Sequence, residues 1–174
     1  MPKRVLILGA GRSSSSLIRH LLQHASDEGF VVRIGDLDLA LAERKAEGHA
    51  AASAFALDAG NPEARRHEIA EADLVISMLP AFLHPEVAAD AIATRTPLIT
   101  PSYLSPEIAA MDQAAKDAGI PILNELGLDP GIDHLSASPT GWFYGEPSPL
   151  YSNQVMTPPE DLYDAVVRYT YNEW

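Results

Sequence analysis

The stretch RVLILGAGRSSSS, residues 4 to 16, decides the fold. RVLIL is an apolar run with no polar alternation, the pattern of a strand buried on both faces of a parallel sheet. It passes without a linker into Gly9-Ala10-Gly11-Arg12-Ser13-Ser14, a GxGxxG pattern with serine in the third place. Gly9 lets the chain turn sharply off the strand. Gly11 keeps side-chain atoms away from the start of the following helix, where free amides and the helix dipole favour a pyrophosphate. Ser14 is small enough for close helix–strand packing, and the hydroxyls of Ser13 to Ser16 add donors beside a phosphate. A bare GxGxxG is a weak signal; it gains meaning from a preceding strand, a following helix and an enclosing βαβ unit.

That enclosing unit is present. Leu17, Leu21 and Leu22 recur at helical spacing between Ser13 and His24, and FVVRIGD, residues 30 to 36, is a second strand. Asp36 ends it, where a carboxylate can accept both ribose hydroxyls of an adenine nucleotide. Asp36 and Asp38 would repel a 2′-phosphate, which favours NAD(H) over NADP(H) unless Arg12 or Arg44 folds over that phosphate.

Further along, the pattern repeats. A helix is expected over 38–47, a strand over 52–57, and a helix opened by Asn61-Pro62-Glu63 with Asn61 as cap and Pro62 at the first helical position. DLVISML, 73–79, is a strand, a helix follows Pro85, and PLIT, 97–100, is a strand. SPEIAAMDQAAKDAG, 105–119, reads as one helix with Ser105 as cap and Gly119 as terminator, before a last strand over 120–124. Six strands alternating with helices give an α/β doubly wound parallel sheet, the Rossmann arrangement. Ligands of such sheets sit outside the carboxyl ends of the strands. Those ends offer Asp58 and Ala59, with Asp58 suited to an adenine amino group, then Leu79 and Pro80 as apolar surface, then Ser102 and Tyr103, then Glu125 to Asp133.

Composition narrows the partners. The chain has 174 residues and a net charge of −12, with three lysines and no cysteine. A basic stripe for nucleic acid is missing, and thiolate metal sites, disulfides and a cysteine nucleophile are excluded. No apolar run reaches the length of a membrane span, so a cytoplasmic protein is expected. His20 and His24 stand four apart on a helix without a third ligand nearby, and no metal site is expected. His84 and His134 border the candidate site and read first as hydrogen-bonded or surface histidines.

Four segments resemble one family. VLILGAGRSSSSLI, DLVISMLPAFLHPEVA, TPSYLSPEIAAMDQAAKDAGI and NELGLDPGIDHLSA are similar to the saccharopine dehydrogenase family, in its glutamate-forming branch, over roughly residues 3 to 137. SYLSP together with GLDPGIDH is far more specific than the glycine turn. The resemblance implies a nicotinamide-dependent oxidoreductase acting at the C–N bond of saccharopine in lysine metabolism. It places cofactor phosphates at Gly9 to Ser14, adenine-side contacts at Asp36 and Asp58, the nicotinamide end at Leu128, Asp129, Pro130 and Gly131, and substrate contacts at Ser102 and Tyr103. It points to NADP(H), against the local reading of Asp36.

The same resemblance calls for a large second domain after HLSA. Residues 138–174 are too few to build one. They are rich in proline and carry both tryptophans and five of the six tyrosines. Thr157 to Glu160 reads as a capping box opening a short helix over 158–171. The expected organisation is therefore a dinucleotide-binding domain over 1–137 and a tail over 138–174. Alternatives are an NAD(H)-sensing regulatory module without turnover and an enzyme like carboxynorspermidine dehydrogenase. No residue stands out as a general acid or base; Asp129, Asp133 and His134 are candidates by position only. An exposed Trp142-Phe143-Tyr144 cluster would favour a homodimer.

Overall fold

The computed structural model describes residues 2 to 127. The readings placed on Leu128 to Gly131, Asp133, His134, Trp142 to Tyr144 and the helix over 158–171 therefore lie outside the described residues.

Six parallel strands form one sheet in the order β3-β2-β1-β4-β5-β6: β1 Lys3–Leu8, β2 Phe30–Asp36, β3 Ala52–Ala56, β4 Leu74–Ser77, β5 Leu98–Ile99 and β6 Ile122–Leu123. The expected doubly wound sheet is present, and its strand order reverses between β1 and β4, the switch point where such folds open a crevice. Register is set by apolar alternation in β1. Leu6 and Leu8 face one side, and Val5 and Ile7 the other, so each feeds a separate core.

The Leu6/Leu8 side packs against α3 (Pro62–Ala70), α4 (His84–Thr94), α5 (Pro106–Ala109) and α6 (Asp112–Ala118) through Ile69, Val87, Ala91, Ile108 and Ala115. The Val5/Ile7 side packs against α1 (Ser15–Glu28) and α2 (Leu39–Ala46) through Ile18, Leu22, Ala42 and Ala46. With both faces of the sheet covered, function is left to the strand ends.

Local capping behaves as the residue chemistry dictates. Asn61 accepts from the N–H groups of Glu63 and Ala64 with Pro62 in the first turn, and Ser105 accepts from Ile108 N–H with Pro106 following it. The single helix expected over 105–119 is instead two. It breaks at Ala110–Met111, where Met111 N–H turns back to the Ile108 carbonyl at 2.9 Å in a tighter turn. The break lets Ile108, Met111 and Ala115 all reach the same core. The first helix also differs from expectation. It is preceded by a 3-10 turn, Arg12–Ser14, and runs on to Glu28.

Candidate functional site

At the switch point the two glycines do different work. Gly9 has φ +98°, and a Cβ there would lie 3.0 Å from the Met78 carbonyl oxygen, so only glycine lets the turn after β1 press against the end of β4. Gly11 has φ −61° and ψ −177°, a conformation open to any residue. Among the described residues, a Cβ on Gly11 would meet nothing within 4 Å. Nothing among the described residues gives a steric or conformational reason for glycine at position 11.

The amides of this turn are divided. Ala10 N–H donates to Asp36 Oδ2 at 2.6 Å. Among the described residues, no group accepts from the N–H of Gly11, Arg12 or Ser13. These three open the helical segment and face an anion's preferred position. Two hydroxyls of the serine run serve the turn itself. Ser14 Oγ donates to the Gly11 carbonyl and Ser15 Oγ to the Arg12 carbonyl, each at 2.8 Å, so both hydroxyl protons hold the turn together.

Asp36 is fixed from two sides, since its Oδ1 accepts from Asp38 N–H at 2.9 Å while Oδ2 takes the Ala10 amide. Asp38 in turn caps α2 by accepting from Leu41 N–H. Leu37, between the two aspartates, is 77% exposed. Past β3, Asp58 Oδ1 accepts from Gly60 N–H, and the Ala59 carbonyl accepts from Arg65 Nη1 at 2.6 Å. That guanidinium is buried against Asp90, with Nε 2.7 Å from Oδ2, which anchors the loop carrying Asp58 and Ala59. Leu79 is half-buried and Pro80 exposed at the end of β4.

The ends of β4 and β5 meet at a buried histidine. His84, at the start of α4 and 2% exposed, places Nδ1 3.0 Å from Ser77 Oγ. Its Nε2 lies 2.8 Å from Ser102 Oγ and 3.1 Å from Thr100 Oγ1. Burial holds the imidazole pKa below its ordinary value of 6.5, so the ring is neutral, donating through one nitrogen and accepting through the other. His84 is thus the hydrogen-bonded histidine expected, and it orients Ser102. Tyr103, next in the chain, is 57% exposed toward the same end of the sheet.

Glu125 was not singled out by itself in the sequence, yet it clasps this region. It adopts φ +63°, donates its N–H to the Ser102 carbonyl at 3.0 Å, and its Oε1 accepts from Leu104 N–H at 3.1 Å. A non-glycine residue in that conformation is strained, and here the two bonds hold it there. The polar Ser77 closing an otherwise apolar strand was the one sequence sign of the histidine network.

The described site is therefore an anion-ready turn, a fixed carboxylate at the end of β2 and a hydroxyl-rich cluster around His84 at the ends of β4 and β5, all at the carboxyl end of the sheet. A model of the saccharopine dehydrogenase NADP-binding domain matches residues 5–123. The chain belongs to that family. The glutamate-forming, NADP(+) saccharopine dehydrogenase of Pyricularia oryzae is 41% identical over 138 residues, covering 79% of this chain and 30% of the relative. Mitochondrial alpha-aminoadipic semialdehyde synthase of Mus musculus is 35% identical over 139 residues, covering 79% and 15%. The solved apo saccharopine dehydrogenase (L-Glu forming) of Saccharomyces cerevisiae superposes with a TM-score of 0.72 at 37% identity, covering 79% of this chain and 30% of that one. The chain spans less than a third of the length of these relatives. As a member of the saccharopine dehydrogenase NADP-binding domain family, it presents its glycine turn, Asp36, Asp58 and Ser102 at the carboxyl end of the sheet. No described helix is long and apolar enough to cross a membrane.

Proposed function

We propose that this chain is the dinucleotide-binding part, residues 1–137, of an NAD(P)-dependent oxidoreductase of the saccharopine dehydrogenase type. Gly11 carries the proposal. Its conformation is ordinary and, among the described residues, nothing stands in its Cβ direction, so their packing does not call for glycine there. A pyrophosphate drawn to the three free amides of Gly11, Arg12 and Ser13 fits that space and that chemistry. The bound nicotinamide supplies the hydride chemistry at the C–N bond of an amino-acid-derived secondary amine such as saccharopine.

The chain's own residues have narrower tasks. Gly9 to Ser14 hold the phosphates, Asp36 the adenine-side ribose, and Asp58 and Ala59 border the adenine. Leu79 and Pro80 flank the nicotinamide side, with Leu128, Asp129, Pro130 and Gly131 following β6. Ser102, oriented by His84, and Tyr103 meet the substrate at the mouth of the β5 loop. SYLSP and GLDPGIDH support the enzyme lineage over a pure nucleotide sensor, which needs no substrate rim.

A titration of the chain with NADH and NADPH, followed by a turnover assay with saccharopine on the same sample, tests the reading. Saturable dinucleotide binding that is lost in Gly11→Val supports it. Failure of both nucleotides to bind at millimolar concentration removes it. Saccharopine turnover separates a self-sufficient enzyme from a cofactor-holding part.

A further inference from the structure

Resting on that reading, we infer that the site selects NAD(H) over NADP(H), and that Asp36 is the residue that makes the choice. The Pyricularia oryzae relative carries NADP(+) in its name, but the choice is made locally, at the end of β2, where the 2′ position of the adenine ribose arrives. What stands at that point in this chain is a carboxylate that cannot turn away.

Each Asp36 oxygen already accepts one backbone N–H, from Ala10 at 2.6 Å and from Asp38 at 2.9 Å. These two bonds fix the plane of the group. A carboxylate oxygen has two lone-pair sites, so one remains on each for a ribose hydroxyl. A 2′-hydroxyl can donate to it; a 2′-phosphate is largely deprotonated at neutral pH and brings about −1.5 to −2 of charge instead. Rotating Asp36 aside would strip the Ala10 and Asp38 amides of their acceptor, and Ala10 is itself fully buried in the turn.

The nearby cations do not offset this. Lys45 donates to Ser15 Oγ, tying the last turn of α2 to the first turn of α1. Arg33 is paired with Glu68 at 2.5 Å and lies over the Phe55 ring. Arg12 and Arg44 are exposed, and either would have to outweigh two carboxylates, Asp36 and the α2 cap Asp38, on the same loop. Leu37, exposed between them, adds apolar surface where an adenine would lie and carries no charge for a phosphate.

The test is a paired titration of the chain with NADH and NADPH at one ionic strength, repeated with the fragments ADP and 2′,5′-ADP. Expected is at least about tenfold tighter binding of NADH, with the same order for the fragments, a difference of about 1.4 kcal/mol per tenfold. Asp36→Asn should bring the two nucleotides to within about threefold of each other, by losing NADH affinity and gaining NADPH affinity. NADPH binding equal to or tighter than NADH in the unaltered chain overturns the inference while leaving the cofactor reading intact. Binding of neither overturns both. The unaltered chain and the fragment pair decide the matter even if Asp36→Asn unfolds.

Discussion

Gly11→Val should separate folding from ligand binding, and Gly9→Ala provides its counterpart. At position 11 the backbone lies at φ −61° and ψ −177°, which valine adopts readily, and a Cβ meets nothing within 4 Å among the described residues. Folding stability should stay level or rise by up to about 1 kcal/mol, because glycine's freedom in the unfolded chain is lost. Binding should suffer. If the isopropyl group displaces a phosphate from two of the three free amides, each charge-assisted bond is worth about 1.5–3 kcal/mol. The loss is then about 3–6 kcal/mol, or roughly a hundredfold to ten-thousandfold in affinity. Gly9→Ala reverses the pattern. With φ at +98° and the Met78 carbonyl at 3.0 Å, it should cost about 2 kcal/mol or more of stability. Urea unfolding measures the first quantity and dinucleotide fluorescence titration the second. Unchanged dinucleotide affinity in Gly11→Val, or a stability loss as large as that of Gly9→Ala, would refute the argument that an anion explains this glycine.

Four further outcomes are expected. His84→Ala should destabilise the chain by about 2–4 kcal/mol in urea, since it leaves a cavity and strips Ser77 and Thr100 of a buried partner. The folded pKa of His84 lies below 6.5, so as pH falls through 6.5 the unfolded chain takes up this proton first. The His84 contribution is complete above that pH and declines below it, with a slope of at most about 1.4 kcal/mol per pH unit that His84→Gln should remove. Asp90→Ala should cost about 3 kcal/mol, because Asp90, 2% exposed in its side chain, is the buried partner of Arg65; thermal melting checks this. Finally, dinucleotide affinity should hold or rise between about 10 and 150 mM salt, since neutral amides bind the phosphates while the net charge of −12 repels them from afar. A steep fall in affinity with salt would mean that side-chain cations carry the binding.

What was legible in the sequence was chemistry that acts over a few residues. Asn61-Pro62 and Ser105-Pro106 announced helix starts because cap and first turn are contiguous, and β1 announced a twice-covered sheet because its apolar run is unbroken. The break in the helix over 105–119 was invisible, because it depends on which residues reach a core formed by β1, β4 and α4. The His84 network was equally hidden. Ser77, Thr100 and Ser102 come together only because β4 and β5 are neighbours in register, Val75 opposite Leu98 and Ile76 opposite Ile99. Glu125 required the further pairing of β5 with β6.

Asp36 shows how register becomes recognition. The β1–β2 pairing sets Leu8 opposite Gly35, so the residues just beyond, the glycine turn and Asp36, are brought side by side. Gly9 N–H reaches the Gly35 carbonyl at 2.8 Å, and the next amide, Ala10, reaches the Asp36 carboxylate. One ladder of bonds thereby locks the glycine turn to the Asp36 carboxylate, the two groups proposed to hold the phosphates and the ribose. A one-residue slip would carry every β1 side chain to the wrong face and would break this lock too. The packing that stabilises the fold is thus also what holds Asp36 at a fixed distance from the free amides, and the proposed dinucleotide site depends on that register.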